Sequence, residues 1–222
     1  MWRDGLLVAG KDLRIEARSR VVLNQVAPFS LVVLVLFALA LGPSRVPMAK
    51  AAPGLFWVSV LFATVLAVQR SVSLESSEAR DGLRLSGLDP AGVFLGKAMA
   101  LMVELAVLEL LLGAGVVLFY GVHVHSAVDL VAACVAGTIG LAAAGTLYGA
   151  LAGGLRVRET LLPFLLLPVA APVLLAGTRA WQAALGSTPG AAGDPWLRLL
   201  CVFAAVYVAL GVVIFGPMLE AS

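Results

Sequence analysis

The sequence predicts an all-α membrane protein with six transmembrane helices and an amphipathic helix in front of them. Its 222 residues are 61% hydrophobic and only 13% charged, whereas soluble domains carry about 25% charged residues. Six apolar runs reach the roughly 20 residues that a helix needs to cross the hydrocarbon core of a bilayer. Inside hydrocarbon a helix satisfies its own backbone hydrogen bonds, so we expect a single membrane domain over residues 1–222.

An amphipathic segment at residues 1–20 precedes the apolar runs. Its apolar side chains recur at steps of three and four residues, which places them on one face of a helix. They are Trp2, Leu6, Ala9, Leu13 and Ala17. Five Arg and Lys residues surround this face, a pattern typical of a helix that lies in the membrane interface.

The apolar runs place the spans at about residues 21–42, 51–69, 98–121, 130–153, 160–178 and 197–217. The first run is not predicted to be a signal peptide, whose apolar region has only about 7–15 residues. The fifth span contains Pro163, Pro168 and Pro172. Proline removes a backbone donor and clashes with the preceding turn, so we expect this helix to be kinked or broken. After it, residues 179–185 are predicted to form a short interfacial helix, with Trp181 at the headgroup level.

The distribution of positive charge predicts the orientation in the membrane. With the N-terminus inside, the cytoplasmic segments hold eleven of the 15 Lys and Arg residues. The positive-inside rule then places both termini in the cytoplasm. The net charge of +2 is too small to indicate a nucleic-acid partner.

The polar segment at residues 69–97 is the longest one with apolar runs on both sides, and it contains a predicted coupling loop at residues 70–92. We predict that it lies on the cytoplasmic face and receives force from a separate energy-supplying subunit. The chain has no GxxxxGK[ST] phosphate-binding loop, no HExxH and no GxSxG motif. We therefore expect no catalytic residues, no nucleotide site and no bound metal or cofactor in this chain.

Two carboxylates, Glu104 and Glu109, fall inside the third span. A charged group in hydrocarbon is costly unless it is paired, protonated or wetted. The two residues are five positions apart, about 140° around a helix, so they are not expected to form a paired acid site. Contacts with other helices or with a partner subunit, and a proton or substrate relay, both remain open at this stage.

Other candidate residues have simpler explanations. His123 and His125, at the end of the third span, have no neighbouring Cys, Met or His to complete a metal site, so a solvated loop is favoured. Cys134 and Cys201 lie inside apolar runs without a metal or redox spacing. Glycines repeat at intervals of four residues in the fourth span, which predicts a close packing surface within the chain or between subunits. They are Gly145, Gly149 and Gly153.

The outline of six spans, an amphipathic first helix and a polar loop after the second span resembles the permease subunits of ABC-2 type exporters. Local sequence narrows the resemblance to the CcmB family of haem exporter B proteins in cytochrome c maturation. The segments that carry it are Ala52-Pro-Gly-Leu-Phe-Trp-Val58, Glu78-Ala-Arg-Asp-Gly-Leu83 and Leu95-Gly-Lys97. The resemblance covers essentially the whole chain and implies a multi-pass protein of the bacterial cytoplasmic (inner) membrane.

The resemblance also implies partners. These are a CcmA-like ATPase, a CcmC-like haem-handling membrane subunit, a small CcmD-like membrane subunit and a CcmE-like haem chaperone. ATP would be bound by the ATPase and haem by the haem-handling partners, and lipid and a second copy of the chain are further expected contacts. The 70–92 segment would then form a coupling helix whose charges match the ATPase surface. The charged residues are Glu75, Glu78, Arg80, Asp81 and Arg84.

Three alternatives stay open on the sequence alone. The first is an ABC-2 permease for another substrate, namely a lipid, a glycan or a drug. The second is an ion-coupled secondary transporter that uses Glu109, although such folds usually show inverted repeats. The third is a scaffold that holds partner subunits together without transport.

Overall fold

The protein is an all-α bundle. The computed structural model describes residues 1–19, 24, 26–42, 45–74, 87–153, 158–186 and 192–221. Seven helices are described in these ranges: α1 (Trp2–Ser19), α2 (Ala27–Leu41), α3 (Arg45–Leu74), α4 (Pro90–Tyr120), α5 (Ala127–Gly153), α6 (Arg158–Ala184) and α7 (Asp194–Ala221).

The predicted all-α membrane fold is confirmed. Helices α3 to α7 each contain an apolar stretch of 24–31 residues, long enough to cross a membrane. The exception in length is α2, which has 15 residues and therefore rises about 22 Å. The predicted first span was 21–42, and its positions 21–23 and 25 lie outside the described residues.

Helix α5 lies at the centre of the bundle and packs against α3, α4, α6 and α7. Small residues line much of its buried surface, among them Ala133, Ala142 and Ala144, each at most 1% exposed. Small side chains let helix backbones approach closely, which is how helices associate in the absence of water. This composition explains why the fourth span, and not a more hydrophobic one, occupies the core.

The proline-rich helix α6 differs from its prediction in two ways. It runs without a break through Pro163, Pro168 and Pro172, so of the predicted kink or break, the break is absent. It also continues to Ala184, so residues 179–185 are its last turns and the predicted separate interfacial helix was wrong. No residue between 178 and 184 disfavours a helix strongly enough to end α6 earlier, and Gly186, at φ +60°, adopts the left-handed conformation that ends many helices.

Trp181, which was predicted at the headgroup level, is buried between helices, with 2% of its surface exposed. Its ring stacks on Phe56, with centroids 3.8 Å apart, and meets Trp57 edge to face at 6.4 Å. This aromatic cluster joins α3 to α6. Stacked and edge-to-face pairs contribute about 0.5–1.5 kcal/mol beyond the burial of their area, so the cluster stabilises the contact between α3 and α6.

Two glycines make room for the indole of Trp57. A Cβ atom added at Gly137 of α5 or at Gly177 of α6 would collide with that indole ring. Trp57 itself is 0% exposed. We call the space between these two glycines the indole slot, and it fixes the separation of three helices.

Candidate functional site

The five residues predicted to contact an ATPase lie outside the described part of the chain. Glu75, Glu78, Arg80, Asp81 and Arg84 all fall within residues 75–86. The structure describes both flanks of this segment, since α3 ends at Leu74 and α4 begins at Pro90. We call the end of the bundle where these two helix termini lie the loop end.

The start of α4 is fixed by its own sequence. Asp89 has an extended backbone, and its carboxylate accepts a hydrogen bond of 3.2 Å from the amide of Ala91. This is the usual N-cap arrangement, and Pro90 suits the first helical position because its missing N–H would have no partner there. Gly87, at φ +66°, supplies the turn that leads into the cap. The chain therefore continues from the 75–86 segment through this turn and cap into the long helix α4.

Helix α1 packs lengthwise on the first turns of α4. A Cβ atom at Gly96 would lie 2.5 Å from the carbonyl oxygen of Gly5 and 2.7 Å from Cβ of Val8. At Gly92 it would lie 2.7 Å from the carbonyl oxygen of Met1. Because only glycine leaves room for such an approach, the two backbones are in direct contact at the loop end.

This packing corrects the predicted apolar face of α1. Ala9, assigned to the membrane, is buried on the side that faces α4, together with Gly5 and Val8. Trp2 and Leu6, from the same predicted face, are 68% and 64% exposed. The helix therefore has two apolar surfaces, one against the protein and one left for lipid. The sequence pattern merged them because alanine and glycine contribute little to a hydrophobic stripe.

The far end of α1 is tied to α3. Arg70 Nε lies 3.2 Å from Glu16 Oε2, and the two side chains are 24% and 14% exposed. Ser19 donates a second hydrogen bond to the same carboxylate oxygen at 3.2 Å. Near the start of α1, the amino group of Met1 lies 3.5 Å from Asp89 Oδ2. Helix α1 therefore contacts both flanks of the 75–86 segment, and we call this arrangement the α1 brace.

Reversal of one charge in the brace should be more harmful than its removal. We expect Arg70→Ala to lower the free energy of unfolding by less than about 1 kcal/mol, as for most partly exposed ion pairs. Arg70→Glu would face Glu16 with a like charge, so it should destabilise more. The exchange Glu16→Arg/Arg70→Glu should recover part of that loss. Thermal unfolding in detergent measures the stability of all three variants. If the double exchange is as unstable as Arg70→Glu alone, the pairing of Glu16 with Arg70 is contradicted.

Glu104 belongs to the loop end and not to an acid pair with Glu109. It is only partly exposed, and it interacts electrostatically with Glu16, Asp12 and Arg70. Three carboxylates thus share the neighbourhood of one guanidinium. The arrangement places Glu104 near two carboxylates of α1 and near the guanidinium of Arg70, which is paired with Glu16.

Glu109 lies deep in the bundle. It is 8% exposed, and its Oε1 accepts a hydrogen bond of 2.6 Å from the hydroxyl of Thr138 on α5. Among the described residues, Thr138 is its only hydrogen-bond partner. The sequence singled out the carboxylate but missed Thr138, because the partner is 29 residues away on another helix.

The glycine repeat of α5 faces α3 inside the chain. A Cβ atom at Gly145 would lie 2.7 Å from Val68, and one at Gly149 would lie 3.0 Å from the same side chain. Gly153 is the last residue of α5. The first two glycines therefore allow close packing within one chain.

The two histidines lie in the connection from α4 to α5, and both side chains are exposed. The amides of His125 and Ser126 donate hydrogen bonds of 3.0 Å to the carbonyl oxygen of Ala184. Their backbone thus caps the end of α6. Over the described ranges, no group of three or more His, Cys, Asp or Glu side chains is arranged to hold a metal ion.

Comparison with known proteins agrees with this architecture. The model of the family described as "CcmB protein" matches residues 5–222. "Heme exporter protein B" of Pseudomonas aeruginosa is 30% identical over 202 residues, which cover 89% of each chain. The protein of the same name from Paracoccus denitrificans is 30% identical over 204 residues, or 90% of this chain and 89% of its own. The family match extends along the whole bundle from residue 5 in α1 onward, and the chain belongs to the CcmB protein family.

Proposed function

We propose that this chain is the transmembrane permease subunit of an ABC transporter complex for cytochrome c maturation. In it, ATP hydrolysis by a separate subunit would drive haem export or release of a haem-loaded chaperone. The name of the relatives, heme exporter protein B, supports the substrate class. The observation that supports the mechanism is the α1 brace, which connects α3, α1 and α4 at both flanks of the 75–86 segment.

The brace suits a coupling element on physical grounds. A force applied to a segment that hangs from two flexible ends would be lost in local motion. Here one flank is a capped helix of 31 residues, and both flanks contact α1 through backbone packing or an ion pair. A push on the segment would therefore move α1, α3 and α4 together.

The assignment includes partners and a location. The ATP site would lie in a CcmA-like ATPase that docks on residues 75–84, and haem would be held by CcmC-like and CcmE-like partners, with a small CcmD-like subunit nearby. The loop end would face the cytoplasm, with both termini on that side of the bacterial inner membrane. In this assignment no residue of this chain needs to ligate haem. Two copies of the chain would match the two ATPase subunits of an ABC transporter.

Charge reversal in the segment tests the assignment. The double variant Glu78→Lys/Asp81→Lys should lose the co-purified ATPase or uncouple its turnover, because complementary charges fix the register of such contacts. The measurement is co-purification from native membranes in mild detergent, followed by an ATPase assay. Asp194→Lys is the control. Phe215, near the end of α7, contacts Phe94 in the first turns of α4, so Asp194 at the start of α7 lies at the opposite end of the bundle from the loop end. If no ATPase accompanies the wild type, the ABC assignment fails.

A further inference from the structure

We propose that a groove between α4 and α5 binds a transmembrane helix of a different membrane protein, and that a side chain of this helix donates a hydrogen bond to Glu109. This contact would lie within the bilayer. It is separate from the contact with an ATPase at the loop end, and it does not depend on which substrate the complex handles.

The groove has a volume of about 430 Å³ and is lined by α4, α5 and the end of α6. On α4, five of the eight lining residues follow one another at steps of four, three, four and three: Met102, Ala106, Glu109, Gly113 and Val116. This is the spacing of a helix surface that packs along another helix. From Met102 to Val116 the surface extends about 21 Å along α4, most of the thickness of the hydrocarbon core.

Small residues of α4 line the open part of the groove, namely Ala106, Gly113 and Ala114. A Cβ atom added at Gly113 would meet nothing within 4 Å, unlike the glycines that pack against other helices of the chain. The rims carry larger side chains that are well exposed, Leu110 at 76% and Val131 at 57%. Small residues between larger apolar side chains allow the backbone of a neighbouring membrane helix to approach closely.

The polar group in the groove identifies its occupant as protein and not lipid. Glu109 lines the groove and is 92% buried. Among the described residues, its only hydrogen-bond partner is the hydroxyl of Thr138. A carboxyl group has capacity for more hydrogen bonds than that. An acyl chain would fill the apolar space but would leave this capacity unused, at a cost in hydrocarbon. A helix that carries a hydroxyl, amide or cationic side chain at this depth would satisfy both the apolar rims and the carboxyl.

The donor is expected from another protein and not from a second copy of this chain. Across α2, residues 161–178 of α6 and residues 199–214 of α7, the described exposed side chains are apolar except for the thiol of Cys201. Tyr207, near the middle of α7, is directed to Tyr148 of its own chain. A second copy that approached through these surfaces would therefore bring an apolar face to Glu109.

Site-specific photo-crosslinking in native membranes tests the proposal. We place benzoyl-phenylalanine at Leu110, on the rim, and at Val213 of α7, which is 72% exposed and is the matched control. The probe at position 110 should form an adduct that mass spectrometry maps to a transmembrane helix of another protein, within one turn of a donor side chain. The probe at 213 should not reach that helix.

Substitutions at Glu109 then test the hydrogen bond. Glu109→Gln keeps an acceptor and should retain the adduct, whereas Glu109→Leu should reduce it about ten-fold, the factor that corresponds to 1.4 kcal/mol. Gly113→Phe fills the groove without a change at Glu109 and should reduce the adduct by the same factor. This variant keeps the test valid if Glu109→Leu does not fold. Adducts with lipid alone, adducts with a second copy, or an adduct unaffected by both substitutions would overturn the proposal. Glu78→Lys/Asp81→Lys should leave the adduct unchanged, so a failed ATPase assignment and a failed groove assignment are distinguishable.

Discussion

Gly177→Ala should lower the apparent melting temperature of the solubilised protein, although alanine normally strengthens a helix. The added methyl group would collide with the six-membered ring of Trp57, which is 0% exposed and walled on its other side by Gly137. An inserted methyl in a packed core costs about 1–3 kcal/mol. The gain from replacing glycine inside a helix is at most about 1 kcal/mol, so the collision should dominate.

A double-mutant cycle identifies the indole as the cause. Trp57→Phe shortens the ring and removes Cζ2, one of the three ring atoms nearest the new methyl. It also removes a buried indole N–H that has no hydrogen-bond partner among the described residues. Trp57→Phe/Gly177→Ala should therefore be less destabilised than the sum of its single variants, as expected for residues in contact. Gly54→Ala is the control, because its nearest neighbour across the helix interface would be at 3.9 Å. Additive effects in the cycle would contradict the indole slot.

The fold class was predictable because a bilayer restricts the choices. Long apolar runs without charges must form helices when they cross hydrocarbon, and five of the predicted spans correspond to α3 through α7. The bounds of the helices were less predictable. The prolines in α6 suggested a break, yet Pro163, Pro168 and Pro172 lie within one helix. Neighbouring helices and local adjustments can satisfy the carbonyl groups that lose their hydrogen bonds at proline.

Glycine was the main source of error within the bundle. The sequence drew attention to Gly145 and Gly149 because they repeat at a fixed interval. Gly137 and Gly177 have no such pattern, and yet each meets the indole ring of Trp57 on another helix. A glycine that makes space for a distant side chain has no local signature, since the partner is determined only by the tertiary fold.

The polar contacts were only half visible in the sequence. Glu109 stood out because a carboxylate is rare in an apolar run. Its partner Thr138, and the pair of Glu16 and Arg70, join residues 29 and 54 positions apart. Nothing in the local sequence specifies which hydroxyl or guanidinium will face a given carboxylate. The positions of charged residues in the sequence thus indicated which regions carry polar contacts, whereas the packing of the helices determined which residues pair.

Gly96→Leu should detach α1 from α4 and abolish coupling while the transmembrane bundle stays folded. Any side chain at this position enters the space of the Gly5 carbonyl and of Val8, and neither can retreat within a straight helix. Helix α1 makes its principal described contacts with α4, so its release leaves the packing of α3, α5, α6 and α7 in place. If the α1 brace transmits force from the 75–86 segment, maturation of cytochrome c should be lost at normal membrane levels of the variant.

Two measurements separate detachment from unfolding. Trypsin should cut at Arg14 or Arg18 about ten-fold faster in Gly96→Leu than in the wild type, because cleavage follows the population of the opened state. The melting temperature of the bundle should change much less than in Gly177→Ala. Gly10→Ala is the matched control, since Gly10 lies on α1 and an added methyl there meets nothing within 4 Å. Faster cleavage with normal maturation would show that α1 anchors the chain without transmitting force, whereas unchanged cleavage would show that its contact with α4 does not hold it in place.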